Sequence, residues 1–382
     1  MALPQRSITL RLLMMLPTRT FSTLLFAALL GIGAAARAAT KTENVFLITV
    51  DGLRWQEVFS GAEAALISKD MGGVSDTNRL AKQYWRDSAD ERRRALLPFF
   101  WDTIAKKGQL YGNASNGSPA LLTNGKKFTY PGFNEIFIGY ADSRIDKNEK
   151  RWNPNVSVLE WLHRKPAFAG RVVGFANWDV HPYILNSQRS GIPVWSGYDT
   201  NFPAAPGSRL ELVQQLHLDT TAIWDGMNFD SFYFYATQEY VKEKQPRLVW
   251  VGLSETDEWA HEGRYDRYLQ AANLMDRYVG KLWATVQSLP QYKDKTTIII
   301  TCDHGRGYGA EWRHHGVSTV GAENIWIAIL GPDTRPLGER ANVAQVTQSQ
   351  IAATLAALLG EDYHGAVPAS APPIVDALPS AK

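Results

Sequence analysis

The chain has 382 residues, 45% hydrophobic and 20% charged, a composition that excludes a disordered or fibrous polymer and leaves ample core for a large globular domain. Its 40 basic and 38 acidic residues give a net charge of +2, which excludes a chain-wide field selecting nucleic acid or an anionic membrane. The single cysteine, Cys302, excludes an intramolecular disulfide.

Arg6, Arg11 and Arg19 precede an apolar stretch from Phe21 to Ile32, and Ala36-Arg37-Ala38 follows. A charged segment, an apolar segment and an A-x-A site predict a signal peptide over residues 1–38, hence an exported protein, periplasmic or secreted. The stretch is short for a membrane span, so none is expected after cleavage; an uncleaved anchor is the alternative.

Further along, four apolar runs each end in aspartate: NVFLITVD at Asp51, VVGFANWD at Asp179, LVWVGLSETD at Asp257 and TIIITCDHG at Asp303. Runs this short and β-branched read as buried parallel strands. The first spans 44–51. Residues 54–95 are rich in charge and read as surface helices and loops. A helix over Pro98–Lys107 leads to the strand-like GQLYGNAS. In FTYPGFNEIFIGYAD, residues 128–142, Pro131 suits the first turn of a helix and Thr129 the cap before it. Helical spacing from Val156 precedes a strand at 171–178.

Residues 180–247 form an irregular insertion whose Ser208–Lys244 part is mostly helical. A strand at 247–256, a charged helix over Arg264–Leu289, strands at 296–302 and 325–331, and a helix over Gln348–Leu359 complete the pattern. The prediction is one α/β domain over 39–366, a mostly parallel central sheet with helices on both faces. The Pro/Ala-rich residues 367–382 read as a poorly ordered tail.

Ligands in open α/β sheets bind beyond the carboxyl ends of the strands. Asp257 and His261 can reach one ion if the chain turns into a loop or helix there. Asp303 and His304 are adjacent, and Gly305 permits the break in alternation that lets both coordinate. His315 closes a glycine-rich loop, RGYGAEWRHHG, and Asp51 ends the first strand. Carboxylates with imidazoles suit Zn2+ and also Mn2+. A lone strand-end aspartate is commonly a turn former. Asp179 is read that way, and His163, His181, His217 and His364 have no spacing that argues for a site. Cys302 alternates away from Asp303 and reads as core.

Five motifs then occur in one order: VDGLR at 50–54, FTYPGFNEIFIG at 128–139, D-x-x-x-H at 257–261, CDHG at 302–305 and HHG at 314–316. With IWIAILGPDT at 325–334 and QIAATLAALLG at 350–360, the chain resembles the alkaline phosphatase superfamily, and within it the nucleotide pyrophosphatase/phosphodiesterase branch. The resemblance implies a two-metal hydrolase of small phosphate esters, with no nucleic-acid polymer as partner. It implies Asp257, His261 and His315 on one divalent ion and Asp51, Asp303 and His304 on the other. Thr129 would bridge them as nucleophile through a phosphothreonine, with the Tyr130 amide on the phosphoryl oxygens. His315 is preferred to His314 for its following glycine.

An asparagine beyond the nucleophile would touch the phosphoryl group; Asn148 fits, with Asn153 and Asn155 as rivals. The branch reads T-F-P-N-H where this chain has Thr129-Tyr130-Pro131-Gly132-Phe133, a departure that bears on substrate class. Alternatives are a phosphoglycerate mutase-like or phosphonate- or sulfate-ester-processing relative, and a metal-binding protein without catalysis. The C/S-x-P-x-R motif of sulfatases is missing at Thr129. Trp178, Tyr183, Trp195, Tyr198 and Phe202 form either an aromatic wall for a base or sugar or local packing.

Overall fold

A computed structural model describes residues 40–199 and 204–379. The leader over 1–38 and Phe202 lie outside the described residues. Among the described residues ten strands occur, in chain order β1 (Asn44–Val50), β2 (Gln109–Tyr111), β3 (Ala120–Leu121), β4 (Val172–Ala176), β5 (Val194–Ser196), β6 (Leu248–Leu253), β7 (Thr296–Thr301), β8 (Ile327–Leu330), β9 (Gly338–Glu339) and β10 (Val346–Thr347).

Eight of them make one sheet, ordered β5-β4-β6-β1-β7-β8-β2-β9, while β3 and β10 pair apart. From β5 to β7 every pairing is parallel, and β8 then runs antiparallel to β7. All residues of β1, β6 and β7 are buried, as strands are when helices cover both faces of a sheet. Val50 lies opposite Leu253 and Thr49 opposite Thr301, so Asp51, Ser254 and Asp303 follow at one level beyond the sheet. The predicted fold class holds, and the three central strands end side by side.

Two helices matter most for what lies at that edge. Thr129–Ile138 is buried at all ten positions and packs on Gln350–Leu358. Tyr265–Ser288 buries Tyr268, Leu269, Ala272, Met275, Val279, Leu282 and Val286, the three-and-four spacing of one helix face.

The structure departs from the sequence reading in several places. The strand expected over 247–256 stops at Leu253, and a helix, Glu255–His261, begins. The Asp230 carboxylate accepts the Ser254 amide at 2.9 Å and the Glu255 amide at 3.4 Å, giving orphan helix N–H groups a partner. Asp257 therefore sits in a first helical turn, not at a strand end. Within 180–247, Val194–Ser196 adds a strand to the sheet edge, and Ser208–Lys244 divides into helices Arg209–Leu218 and Asp230–Lys244.

Residues 54–95 are not wholly surface. Arg54 and Glu57 are fully buried as an ion pair, with the Tyr265 hydroxyl donating to Glu57 Oε1 at 2.8 Å and the Arg54 amide donating to the Tyr268 hydroxyl at 2.8 Å. A buried charge pair persists only when its remaining donors and acceptors are met in this way. The tail also needs correcting. Ile374 and Ala377 are buried, and Asp376 pairs with Arg335 at 3.0 Å and Arg340 at 2.8 Å. Among the described residues no helix is long and apolar enough to cross a membrane.

Candidate metal centre

The carboxyl edge of β6, β1 and β7 gathers the expected residues. Asp51 follows β1, Asp303 and His304 follow β7, and Asp257 and His261 lie one turn apart on Glu255–His261. His315 arrives from the loop after β7. One donor atom each from Asp51, Asp303 and His304 lie within 4.8 Å of one another, and so do donors from Asp257, His304 and His315. His304 Nε2 stands 3.2 Å from Asp51 Oδ1, 3.5 Å from Asp303 Oδ2 and 3.7 Å from Asp257 Oδ1. Ligand atoms of a tetrahedral ion with bonds of ~2.0–2.1 Å lie roughly 3.3 Å apart.

The expected second set, Asp51, Asp303 and His304, is thus together. The expected first set is assembled differently. His261 Nε2 is 3.0 Å from both Asp257 Oδ2 and His315 Nε2, but the compact group around Asp257 and His315 takes His304 as its third member. His304 stands between the two groups.

Unpaired atoms argue that this is a cation site. Asp51 Oδ1, Asp303 Oδ2 and His304 Nε2 are buried and have no hydrogen-bond partner, a costly state that an ion between them would relieve. Both rings are also oriented from behind. The Nδ1 of His304 is 2.9 Å from the Gly305 carbonyl, and that of His315 is 3.1 Å from the Lys127 carbonyl. Donation of Nδ1–H to a carbonyl fixes the tautomer whose Nε2 lone pair faces the ligand cluster. The Gly52 amide donates to Asp303 Oδ1 at 3.2 Å and leaves Oδ2 for the cluster.

The electrostatics agree. Burial, then the Asp257 charge, holds the Asp51 carboxyl well above its ordinary range; burial and Asp51 do the same to Asp303. Carboxyls that resist ionisation when no cation is present become good ligands when one is. Burial and His304 push the His315 imidazole down to about 2, so the ring is neutral, the form that ligates. For Asp257, burial pulls upward, but the Arg306 guanidinium and His261 outweigh it and hold the carboxyl well below its usual range.

Thr129 is buried and opens the helix Thr129–Ile138; the cap position belongs to Phe128, so Thr129 is its first helical residue, not its cap. Its hydroxyl has no hydrogen-bond partner among the described residues, and it lines a cavity of about 140 Å3 with Asp51, Asn148, Asp257, His261 and His315. Lys127, with φ +57, turns the chain into the helix.

Asn148 joins this cavity. Its Oδ1 accepts the Tyr130 amide at 2.8 Å, so that amide is committed to the asparagine rather than free for a substrate oxygen as the sequence reading expected. The rivals lie elsewhere: Asn153 and Asn155 are buried and donate to Asn134 Oδ1 at 2.9 and 3.2 Å. The Gly132-Phe133 departure is a packing matter. A Cβ on Gly132 would meet the Asp303 carbonyl at 2.4 Å, and Phe133 packs edge-on to Trp250 at 5.7 Å. Neither lines the cavity.

The proposed aromatic wall is divided. Trp178 lines the cavity, together with Met227 from the insertion, whereas Trp195 is core and Tyr198 packs on His217. Asp179 pairs with Lys150 at 2.6 Å, in keeping with its reading as no ligand. Cys302 is buried core, as expected.

Arg306 was missed. It is buried, its guanidinium pairs with the Asp257 carboxylate and donates to the Asp257 carbonyl at 3.0 Å, and it packs where any Cβ on Gly52 would fall, 2.8 Å from its Nε. Gly52 has φ +61, so both backbone and space demand glycine in VDGLR. The signal was present in HGRG: a charge between two glycines at a strand exit.

His314 is exposed while His315 faces the cluster. His315→Ala is expected to weaken metal binding more than about a hundredfold, and His314→Ala to stay within about twofold of the parent. Competition against a chelating dye measures both; the reverse ranking would show that His314 swings inward.

Residues 212–363 match a family model described as the Metalloenzyme superfamily. No curated protein matches the sequence. Among solved structures, the fold resembles alkaline phosphatase PafA, with 10% identity, TM-score 0.54, and coverage of 90% of this chain and 100% of that one. It also resembles the lipoteichoic acid synthase LtaP from Listeria monocytogenes, with 10% identity, TM-score 0.53, and coverage of 85% and 73%. A third likeness is to a putative sulfatase from Bacteroides thetaiotaomicron, with 12% identity, TM-score 0.52, and coverage of 89% and 74%. At such identities the likeness is one of fold, and that fold is alkaline phosphatase-like.

Proposed function

We propose that the protein is an exported, two-metal phosphodiester hydrolase acting through a phosphothreonine at Thr129. The observation that carries this reading is a free, buried helix-start hydroxyl facing two carboxylate–imidazole groups with unpaired donor atoms. Asp51, Asp303 and His304 would hold one ion, and Asp257, His315 and His261, with His304 beside them, the other; the donor set favours Zn2+. When bound, the ions supply Lewis acidity to the phosphoryl oxygens and lower the pKa of the threonine hydroxyl.

The protein groups do the rest. Thr129 Oγ1 loses its proton to solvent and attacks phosphorus in line, forming a P–O bond as the bond to the departing ester oxygen breaks with its electron pair, and that oxygen takes a proton from solvent. Asn148, anchored through Oδ1 on the Tyr130 amide, has its NH2 donors uncommitted among the described residues and suited to a phosphoryl oxygen. Water then attacks the phosphothreonine and regenerates the hydroxyl.

The choice of diester rests on charge. None of the ten residues lining the cavity is Lys or Arg, and Glu258 adds a further acid to Asp51 and Asp257. A monoester dianion carries one more negative charge than a diester, with no cationic side chain there to meet it. Assays of the zinc-loaded protein with bis(4-nitrophenyl) phosphate, 4-nitrophenyl phosphate and 4-nitrophenyl sulfate test this. The expected result is a kcat/KM for the diester at least about tenfold above the monoester, the size of one modest charge contact. A faster monoester would overturn the diester reading, a faster sulfate would move the protein to sulfuryl transfer, and no turnover would leave a binding protein.

A further inference from the structure

We propose that Asp230 is a positioning residue for the metal site: it sets the start of the helix Glu255–His261 and with it the register of Asp257 and His261. The proposal rests on the two-metal reading. That helix has seven residues, about two turns, and Asp257 lies in the first of them. The first turn of a short helix frays unless its opening amides are met. Its own cap residue does not meet them. Ser254 stands at the cap position, yet its buried hydroxyl makes no hydrogen bond among the described residues.

The acceptor comes instead from the insertion. Asp230 Oδ1 takes the Ser254 amide at 2.9 Å and the Glu255 amide at 3.4 Å, and Oδ2 lies 3.4 Å from the Glu255 amide as well. Glu255 returns the bond. Its Oε1 accepts the Asp230 amide at 2.8 Å, and Asp230 is the first residue of the helix Asp230–Lys244. Two helices thus start beside each other, each with an acid spent on the other's opening amide. Two buried carboxyls this close repel when both are charged, a cost that an ordinary serine or threonine cap does not carry. What the arrangement gains is a join between distant segments, since neither helix can begin elsewhere without breaking the other's bond.

The join also reaches the cavity wall. Asn177, buried just past β4, donates through Nδ2 to Asp230 Oδ1 at 2.6 Å, and its carbonyl accepts the Asn228 amide at 3.2 Å. Trp178, which follows Asn177, and Met227, which precedes Asn228, pair through their backbones and line the cavity. One carboxylate therefore holds the ligand helix and the substrate wall in a fixed relation. Asp230 lies outside the lining itself and acts through these groups.

Zinc competition against a chelating dye, with the thermal midpoint measured on the same full-chain samples, tests the role apart from turnover. Asp230→Ala should weaken zinc about ten- to hundredfold, while Asp230→Asn, which keeps the Oδ1 acceptor, should stay within about threefold of the parent. Asp276→Ala is the matched control. Asp276 is a buried carboxylate that accepts the Phe99 and Phe100 amides at 2.8 and 2.9 Å, so its loss removes comparable backbone bonds at another segment. That variant should lower the thermal midpoint and leave zinc affinity within about twofold. In turnover of bis(4-nitrophenyl) phosphate, excess zinc should restore kcat in Asp230→Ala while KM stays raised, because mass action returns the ion but not the wall. If Asp230→Ala does not fold, Asn177→Ala, which removes the donor at 2.6 Å, carries the test with an expected loss of about fivefold in zinc affinity. Parental zinc affinity in whichever of these two variants folds, equal weakening in Asp276→Ala, or an asparagine variant as weak as the alanine would each overturn the proposal. A parent chain that binds no zinc would overturn it together with the metal reading. Asp230-dependent zinc affinity in a protein that cleaves no diester would uphold the positioning role and overturn only the phosphodiester reading.

Discussion

Thr129→Ala is expected to lower kcat/KM for bis(4-nitrophenyl) phosphate on the order of a thousandfold or more, while metal content and thermal midpoint stay near the parent. A nucleophile that forms the covalent intermediate contributes at every turnover, and losses of about 4 kcal/mol in barrier correspond to three powers of ten. Little else should change. Thr129 is buried at the cavity wall, its hydroxyl has no protein partner among the described residues, and the helix it opens is capped at Phe128 without a side-chain bond. Removing the hydroxyl therefore breaks no hydrogen bond and leaves a small void. Thr129→Ser keeps the oxygen and should retain partial activity, losing only the rotamer restriction of the β-branch. Acid quench during turnover should trap phosphate on residue 129 in the parent and none in the alanine variant. Parental turnover in Thr129→Ala would transfer the attack to a water or to another group.

His304→Ala is expected to empty both metal groups at once, taking metal content from near two ions per chain to below one. The ring is fully buried and stacked on His315, with centroids 4.1 Å apart, and its Nε2 lies within 3.7 Å of Asp51 and of Asp257. Loss of the ring leaves Asp51, Asp303 and Asp257 facing one another across a void, and three carboxylates without that ligand bind cations less selectively and less tightly. His261→Ala is the contrast. Its ring is partly exposed and belongs to neither compact group, so at most one ion should be lost. Elemental analysis after dialysis against a chelator-treated buffer decides between them. Loss of one ion in each variant would restore two independent three-ligand sets.

Comparing residues shows what was legible in the chain. Asp51 and Asp303 could be found because each sits one or two residues past a β-branched run, and a parallel sheet with both faces covered brings such ends to one edge. Asp257 and His261 could be found because three intervening residues make one helical turn, whichever residue starts the helix. Asn148 was one of three candidates, and only packing separated them: Asn153 and Asn155 are spent on Asn134, whereas Asn148 meets the Tyr130 amide. The charge of 54–95 misled because composition cannot distinguish a solvated arginine from Arg54, whose partners come from Glu57, Tyr268 and Gly307.

By itself the chain determined its central strands, their common edge, and the residue types gathered there, since these follow from short-range pattern and the handed, buried geometry of parallel pairing. Tertiary structure alone decided how those residues divide. Arg306 claims one side of Asp257 from 49 residues away, His304 falls between two clusters, the Tyr130 amide goes to Asn148, and the last described segment packs through Ile374 and Asp376. Each outcome is a competition among distant partners for one buried donor or acceptor. Burial makes an unmet polar atom costly, so the winner is set by which groups the completed fold brings within bonding distance, a quantity that no local spacing encodes.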